Sequence, residues 1–94
     1  MSLENTTWMI QSTVIMTCEF KANNVATMKM LNGQSFNVNW DASGGAFAIE
    51  WPKSTADPNK WIVSAGTYSG DKGSGVKFYF GVGAPENFTM VKTS

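Results

Sequence analysis

Two residue types that most catalytic and anion-binding sites use are missing from this sequence. The chain has seven lysines and seven acidic residues, for a formal charge of zero, but no arginine and no histidine. Without histidine, no side chain ordinarily titrates near neutral pH, and without arginine there is no planar donor that binds phosphate or carboxylate bidentately. This composition argues against most enzyme chemistries and against the usual nucleic-acid surface.

Cys18 is the single cysteine, and the acidic residues are scattered. Cys18 stands at an apolar position between Met16 and Phe20, and no histidine is available to activate a catalytic thiol. The carboxylates fall in predicted turns or at outward positions, where Asp and Asn commonly bond to local backbone. We therefore predict no enzyme activity and no catalytic residues among the acids, which are Glu4, Glu19, Asp41, Glu50, Asp57, Asp71 and Glu86.

Other binding signatures are also missing from the sequence. No cysteine and histidine group has the spacing of a zinc site, and no segment has the pattern of an EF-hand calcium loop. The glycine-rich segment Asp71–Gly75 lacks the ending of a phosphate-binding loop and predicts a hairpin turn instead. The lysines are spread singly, and no apolar run approaches the roughly 18 residues of a membrane-spanning helix. We predict no metal, no cofactor, no nucleic-acid partner and no integral membrane segment.

Apolar and polar residues alternate along most of the chain, which predicts β-strands. The alternation from Trp8 to Phe20 is too long for one ordinary strand, so it predicts either a bend near Ser12 and Thr13 or two successive strands. We expect one domain over residues 1–94, with residues 1–5 disordered or foreign to the native protein. The further strands are predicted over residues 25–30, 36–40, 47–51, 61–68, 76–82 and 88–90.

Short turns join these segments, so an antiparallel up-and-down meander of seven or eight strands is the simplest topology. Asn32-Gly33 predicts a type I′ hairpin turn, residues 70–75 predict another turn, and Pro52 ends a strand before the polar loop Lys53–Asn59. The chain has little edge charge to protect an open sheet. We therefore predict a closed or nearly closed all-β barrel.

Three short motifs, at the start, in the middle and at the end of the sequence, resemble those of a known family. Thr6-Thr7-Trp8 is similar to the opening Gly-x-Trp strand of the lipocalin superfamily, with Thr at the place of Gly, and Cys18–Trp51 resembles the core of small bacterial lipocalin-like domains. Phe88–Lys92 is similar to their closing strand, although the longer segment that usually follows the first strand is missing here. The resemblance implies an abbreviated eight-stranded calycin-type barrel, and it implies export from the cytoplasm.

The predicted inward residues are large and apolar, and a barrel of about eight strands either is filled by such side chains or holds one small ligand. We predict a binding module for a small apolar ligand in or at the mouth of the barrel, with Cys18 as the one titratable inward group. The predicted ligand-lining residues are Met28, Phe36, Trp40, Phe47, Trp51 and Phe78. The other predicted inward residues are Trp8, Ile10, Val14, Met16, Phe20, Met30, Val38, Ile49, Phe80, Phe88 and Met90.

The alternative is an interaction domain whose filled barrel self-associates, as a dimer or larger oligomer, through an outer apolar face. A net charge of zero gives little electrostatic protection against association. An interior cavity of about 300 Å³ or more would favour the ligand hypothesis, since that is the size at which ligand pockets begin. The predicted outer apolar residues are Met9, Ile15, Val25, Ile62 and Tyr79.

Overall fold

The computed structural model describes residues 3–51, 61–80 and 83–94, without the side chains of Trp61 and Phe80. The described residues form eight strands, as the alternation of apolar and polar residues predicts. The strands are β1 (Thr6–Gln11), β2 (Ile15–Phe20), β3 (Val25–Met30), β4 (Ser35–Ser43), β5 (Ala46–Glu50), β6 (Trp61–Ser69), β7 (Lys72–Phe80) and β8 (Glu86–Lys92).

Each strand pairs antiparallel with the next in sequence, and β8 returns to β1 to close the barrel. Met9 lies opposite Val91 in that closing pair, and the Thr93 amide donates a hydrogen bond of 2.8 Å to the Thr7 carbonyl just beyond it. The closed all-β meander is therefore confirmed. Closure leaves no unpaired sheet edge in a chain that carries few charges to shield one.

The observed turns agree only partly with those predicted from the sequence. Residues 12–14 separate β1 from β2, which confirms two successive strands in place of one long strand. Gly44 and Gly45 have φ of 59° and 86°, the two positive values that a type I′ turn needs. The type I′ prediction at Asn32-Gly33 is wrong, because only Gly33 has positive φ. There the Asn32 side chain accepts a hydrogen bond from the Gln34 amide within a three-residue loop.

Strand β7 begins earlier than predicted, because Gly73 and Gly75 are strand residues. A Cβ atom added to Gly75 would lie 2.2 Å from the Ala65 carbonyl oxygen and 2.7 Å from the Phe88 ring. At Gly73 it would lie 2.8 Å from the end of Met90. Glycine is therefore required by the close approach of the strands and of side chains from β8. The predicted turn over residues 70–75 contracts to Gly70 and Asp71.

The inward face of β7 is the opposite of the one predicted. Buried Ile49 pairs with Ser64, and Ser64 pairs with Lys77, so these three side chains share the inner face. Phe78, predicted to line the interior, instead points outward and is 38% exposed. Apolar Val76 and Phe78 alternate with Gly75 and Lys77, so the outward residues mimic the pattern of a core face.

The barrel end that holds both chain termini is filled by side chains. Leu3 is 1% exposed and belongs to the core, together with Trp8, Phe20 and Trp40. The carbonyl of Leu3 accepts hydrogen bonds from the Thr6 amide and hydroxyl. We expected residues 1–5 to be disordered or foreign to the native protein; of these, the structure describes residues 3–5, and Leu3 belongs to the core.

One predicted inward residue lies in a turn, and several other predictions concern residues outside the described ranges. Val14, predicted to be inward, lies in the turn between β1 and β2 and is exposed. The loop Lys53–Asn59 and the strand end at Pro52 lie outside the described residues, as do predictions for residues 81–82 and for the side chains of Trp61 and Phe80.

Candidate functional site

Alternating strand direction gives the barrel two different ends. The terminal end contains the chain termini and the turns after β2, β4 and β6, and the mouth is the opposite end. At the terminal end, the Trp40 indole N–H donates to the carbonyls of Lys21 and Val25 at 3.1 and 3.0 Å. Its ring meets Phe20 edge-on with centroids 5.2 Å apart. These contacts use the polar and apolar surfaces of Trp40 within the fold itself.

The six predicted ligand-lining residues divide into three groups. Met28, Trp40 and Phe47 are buried in the core. Phe36 and Trp51 share the inward side near the mouth, and Phe78 is on the outer wall. The structure therefore brings two of the six together at an accessible place.

Four apolar residues lie near the mouth: Phe36 and Trp51 on the inner side of the wall, Val14 in the turn after β1 and Leu31 in the turn after β3. We call them the apolar rim. The rings of Phe36 and Trp51 are 5.7 Å apart and tilted by 54°. Phe36 is 41% exposed and Leu31 is 81% exposed, and Val14 also contacts solvent. An aromatic side chain such as Phe36 gains free energy of stabilisation when its apolar surface is removed from water, and that gain is not realised while Phe36 is exposed. The rim is thus an apolar surface that a ligand could cover.

The other side of the mouth carries polar groups that the sequence analysis missed. Lys77, Tyr79 and Glu86 occupy the inner face of β7 and β8, and Thr13 lies in the turn between β1 and β2. Glu86 accepts hydrogen bonds from the Thr13 hydroxyl at 2.7 Å and from the Tyr79 hydroxyl at 2.8 Å. The Lys77 ammonium lies 5.6 Å from the centre of the Tyr79 ring. We call these four residues the polar cluster.

The polar cluster changes the titration of its members. Hydrogen bonds from Thr13 and then Tyr79 lower the pKa of Glu86, so it remains a carboxylate at neutral pH. Burial, reinforced by Glu86, raises the pKa of Tyr79 to about 12. Burial also lowers the pKa of Lys77, although the nearby Glu86 charge partly opposes that change.

The prediction that Cys18 is the only titratable inward group is therefore wrong. Lys77 and Tyr79 were missed because the inner face of β7 was assigned to its apolar residues, and Glu86 was missed because it was placed in a turn before β8. The spacing of Gly73, Gly75 and Lys77 was the available signal, since alternate glycines mark a face against which other chain segments pack closely.

Cys18 is completely buried, and the pKa of its thiol is raised to about 12 by burial first and by the Glu19 charge second. A thiol with this pKa is protonated at neutral pH and is a poor nucleophile. The Cys18 side chain is part of the hydrophobic core.

Trp51 contributes a further polar atom near the mouth. Its indole nitrogen is buried and has no hydrogen-bond partner within the part of the chain that the structure describes. A buried donor without an acceptor costs free energy, of the order of 1–3 kcal/mol. An acceptor atom on a ligand could satisfy this donor.

Three cavities lined by described residues lie at the terminal end or on the outer wall. One of about 550 Å³ is formed at the terminal end by turn residues that include Gly45 and Ser69. Another of about 320 Å³ is on the outer wall beside Thr27 and Lys29, and one of about 270 Å³ lies beside Glu50 and Val63. None of these three is the interior cavity on which the sequence hypothesis depended.

Two further observations concern the described residues alone. They contain no group of three cysteine, histidine or acidic side chains placed to hold a metal ion. Within residues 3–51, 61–80 and 83–94 there is also no helix that is long and apolar enough to span a membrane.

Comparison with known proteins adds no relative to this description. No family model, curated protein or solved structure matches the chain. The lipocalin-like resemblance of the sequence therefore remains a prediction, beside the eight-stranded antiparallel barrel.

Proposed function

We propose that this barrel is a non-enzymatic binding module for a small apolar ligand, which binds at the mouth. The observation that supports the proposal best is the position of Phe36. Its side chain belongs to the inward series of β4, yet it is 41% exposed and rests against Trp51. Covering this surface would stabilise the complex by the hydrophobic effect.

The filled core determines how far such a ligand enters. Met28 is paired with Phe36 and is fully buried, and Ile49 and Met16 are fully buried as well. The apolar body of a ligand therefore lies across the apolar rim and not in the centre of the barrel. In this respect the proposal is narrower than the prediction from sequence, which allowed an interior site.

The second candidate is self-association through the outer wall. Phe78 supports it, since this residue is 38% exposed and lies beside the half-buried Val63 with which it pairs. Of the predicted outer residues, Ile62 and Tyr79 share the inner face with Ser64 and Lys77 and do not contribute. The remaining three, Met9, Ile15 and Val25, are on other strands.

A matched pair of phenylalanines separates the two candidates. We expect the neutral fluorescent probe N-phenyl-1-naphthylamine to bind saturably, with one molecule per chain. Phe36→Ser should weaken its binding about fivefold, because the variant removes roughly 1 kcal/mol of apolar contact. Phe78→Ser, which changes an equally exposed phenylalanine on the outer wall, should leave the affinity within twofold of the wild type.

The same titration also gives the results that would contradict the proposed function. Absence of saturable binding, or a loss of affinity in Phe78→Ser but not in Phe36→Ser, would contradict a site at the mouth. Light scattering on the same samples tests the second candidate. A concentration-dependent dimer that Phe78→Ser dissociates would support association through the outer wall.

A further inference from the structure

We propose that the mouth selects ligands that carry a carboxylate on an apolar body, with the Lys77 ammonium as the anchor of the carboxylate. This inference rests on the proposed function, because the apolar body occupies the rim described above. It adds the chemical class of the ligand and the residue that distinguishes that class from neutral apolar molecules.

The environment of Lys77 is the first argument. The side chain is only 4% exposed, although a lysine is almost never fully buried without a partner. Within the described residues its ammonium has neither a hydrogen bond nor an ion pair, although Glu86 lies opposite Lys77 on β8 and the centre of the Tyr79 ring is 5.6 Å away. A buried ammonium in this state is stabilised strongly by an anion that comes into contact with it.

Glu86 does not serve as that anion. Glu86 lies opposite Lys77 in the register of β7 and β8, but its two carboxylate oxygens accept hydrogen bonds from Thr13 and Tyr79 and make no ion pair with Lys77. Glu86 is also nearer to solvent than Lys77, so water screens its charge more effectively. The ammonium is left with unused donors on the inner side of the barrel wall.

The arrangement around the mouth matches an amphipathic molecule. Lys77 is on β7, whereas Trp51 follows β5, with β6 between them. The register Ile49–Ser64–Lys77 places Lys77 one inward position deeper in the barrel than Trp51. Two strand spacings of about 4.8 Å and one inward step of about 6.7 Å therefore separate the backbone positions of Lys77 and Trp51 by roughly 12 Å. This distance is bridged by a medium-length acyl chain or by one or two rings. The unpartnered Trp51 indole N–H could donate to a polar atom within that body.

The test compares ligands of equal chain length by competition against bound N-phenyl-1-naphthylamine. In the wild type, decanoate should compete better than decylammonium, because the Lys77 ammonium has donors without acceptors whereas both Glu86 oxygens already accept hydrogen bonds. The affinity ratio of decanoate to decanol should fall about tenfold in Lys77→Met and should be retained within threefold in Lys77→Arg. The control Lys29→Met alters an exposed lysine on the outer wall and should leave the ratio within twofold.

Each outcome bears on one of the two proposals. If none of the three decyl compounds competes and the probe itself does not bind, the proposed function fails and this inference fails with it. If decanol competes but the decanoate ratio is the same in Lys77→Met as in the wild type, only the Lys77 anchor is overturned. Should Lys77→Met not fold, stronger competition by decylammonium than by decanoate in the wild type would overturn it independently.

Discussion

Gly75→Ala is expected to lower the free energy of unfolding by about 3 kcal/mol, at the upper end of the cost of overpacking a well-filled core. The added methyl group would lie 2.2 Å from the Ala65 carbonyl oxygen and 2.8 Å from the Gly66 Cα atom. Both are backbone atoms, so the clash is relieved only if β6 and β7 separate. Urea unfolding monitored by tryptophan fluorescence measures the change.

The matched control is Gly83→Ala. Gly83 has no atom within 4 Å of the position that a Cβ would occupy, and its φ does not favour glycine. We expect this variant to unfold within 0.5 kcal/mol of the wild type, as ordinary surface substitutions do. Equal stability of Gly75→Ala and Gly83→Ala would mean that the two strands are not packed as described.

Leu3→Ala should destabilise the protein by about 3 kcal/mol, within the range for leucine deletions from a core. Leu3 is 1% exposed and covers the terminal end beside Trp8 and Phe20. Removing its side chain leaves a cavity that is bounded by rings and cannot easily collapse. The change is measured as the shift in the urea midpoint at constant slope.

Leu31→Ala is the control for this prediction. Leu31 is 81% exposed at the apolar rim, so its truncation should change stability by less than about 0.5 kcal/mol. If Leu3→Ala were as stable as Leu31→Ala, Leu3 would not be part of the core.

The fold could be predicted from the sequence because most strands have one apolar and one polar side. Phe36, Val38 and Trp40 alternate with polar residues, and so do Phe47 and Ile49. Period-two alternation together with short turns allows few topologies other than a meander. The closed barrel follows from these local patterns and from the cost of leaving edges unpaired.

Which face of β7 points inward could not be predicted in the same way, because the two faces of this strand do not differ in polarity as those of the other strands do. Gly73 and Gly75 leave space that Met90 and Phe88 fill from β8. Side chains from another strand therefore provide the apolar character that Val76 and Phe78 seemed to supply. Such compensation depends on three-dimensional proximity and has no period in the sequence.

A residue of the candidate site could be predicted only where the inward face of its strand was assigned correctly. Phe36 and Trp51 were identified from sequence because they continue the inward series of their own strands. Lys77 was missed because one wrong face moves every side chain of a strand to the other side of the sheet. The hypothesis of an interior with no titratable group except Cys18 rested on assigning the charged residues to turns and outward positions, and the inward face of β7 overturns it.

The most direct test of binding at the mouth is to locate a bound ligand by intermolecular NOEs to methyl groups, with decanol as the ligand. The account predicts NOEs to the methyl groups of Val14, Leu31 and Ile62, which surround the mouth. NOEs confined to Val63, Val76 and Val91 on the outer wall would contradict it.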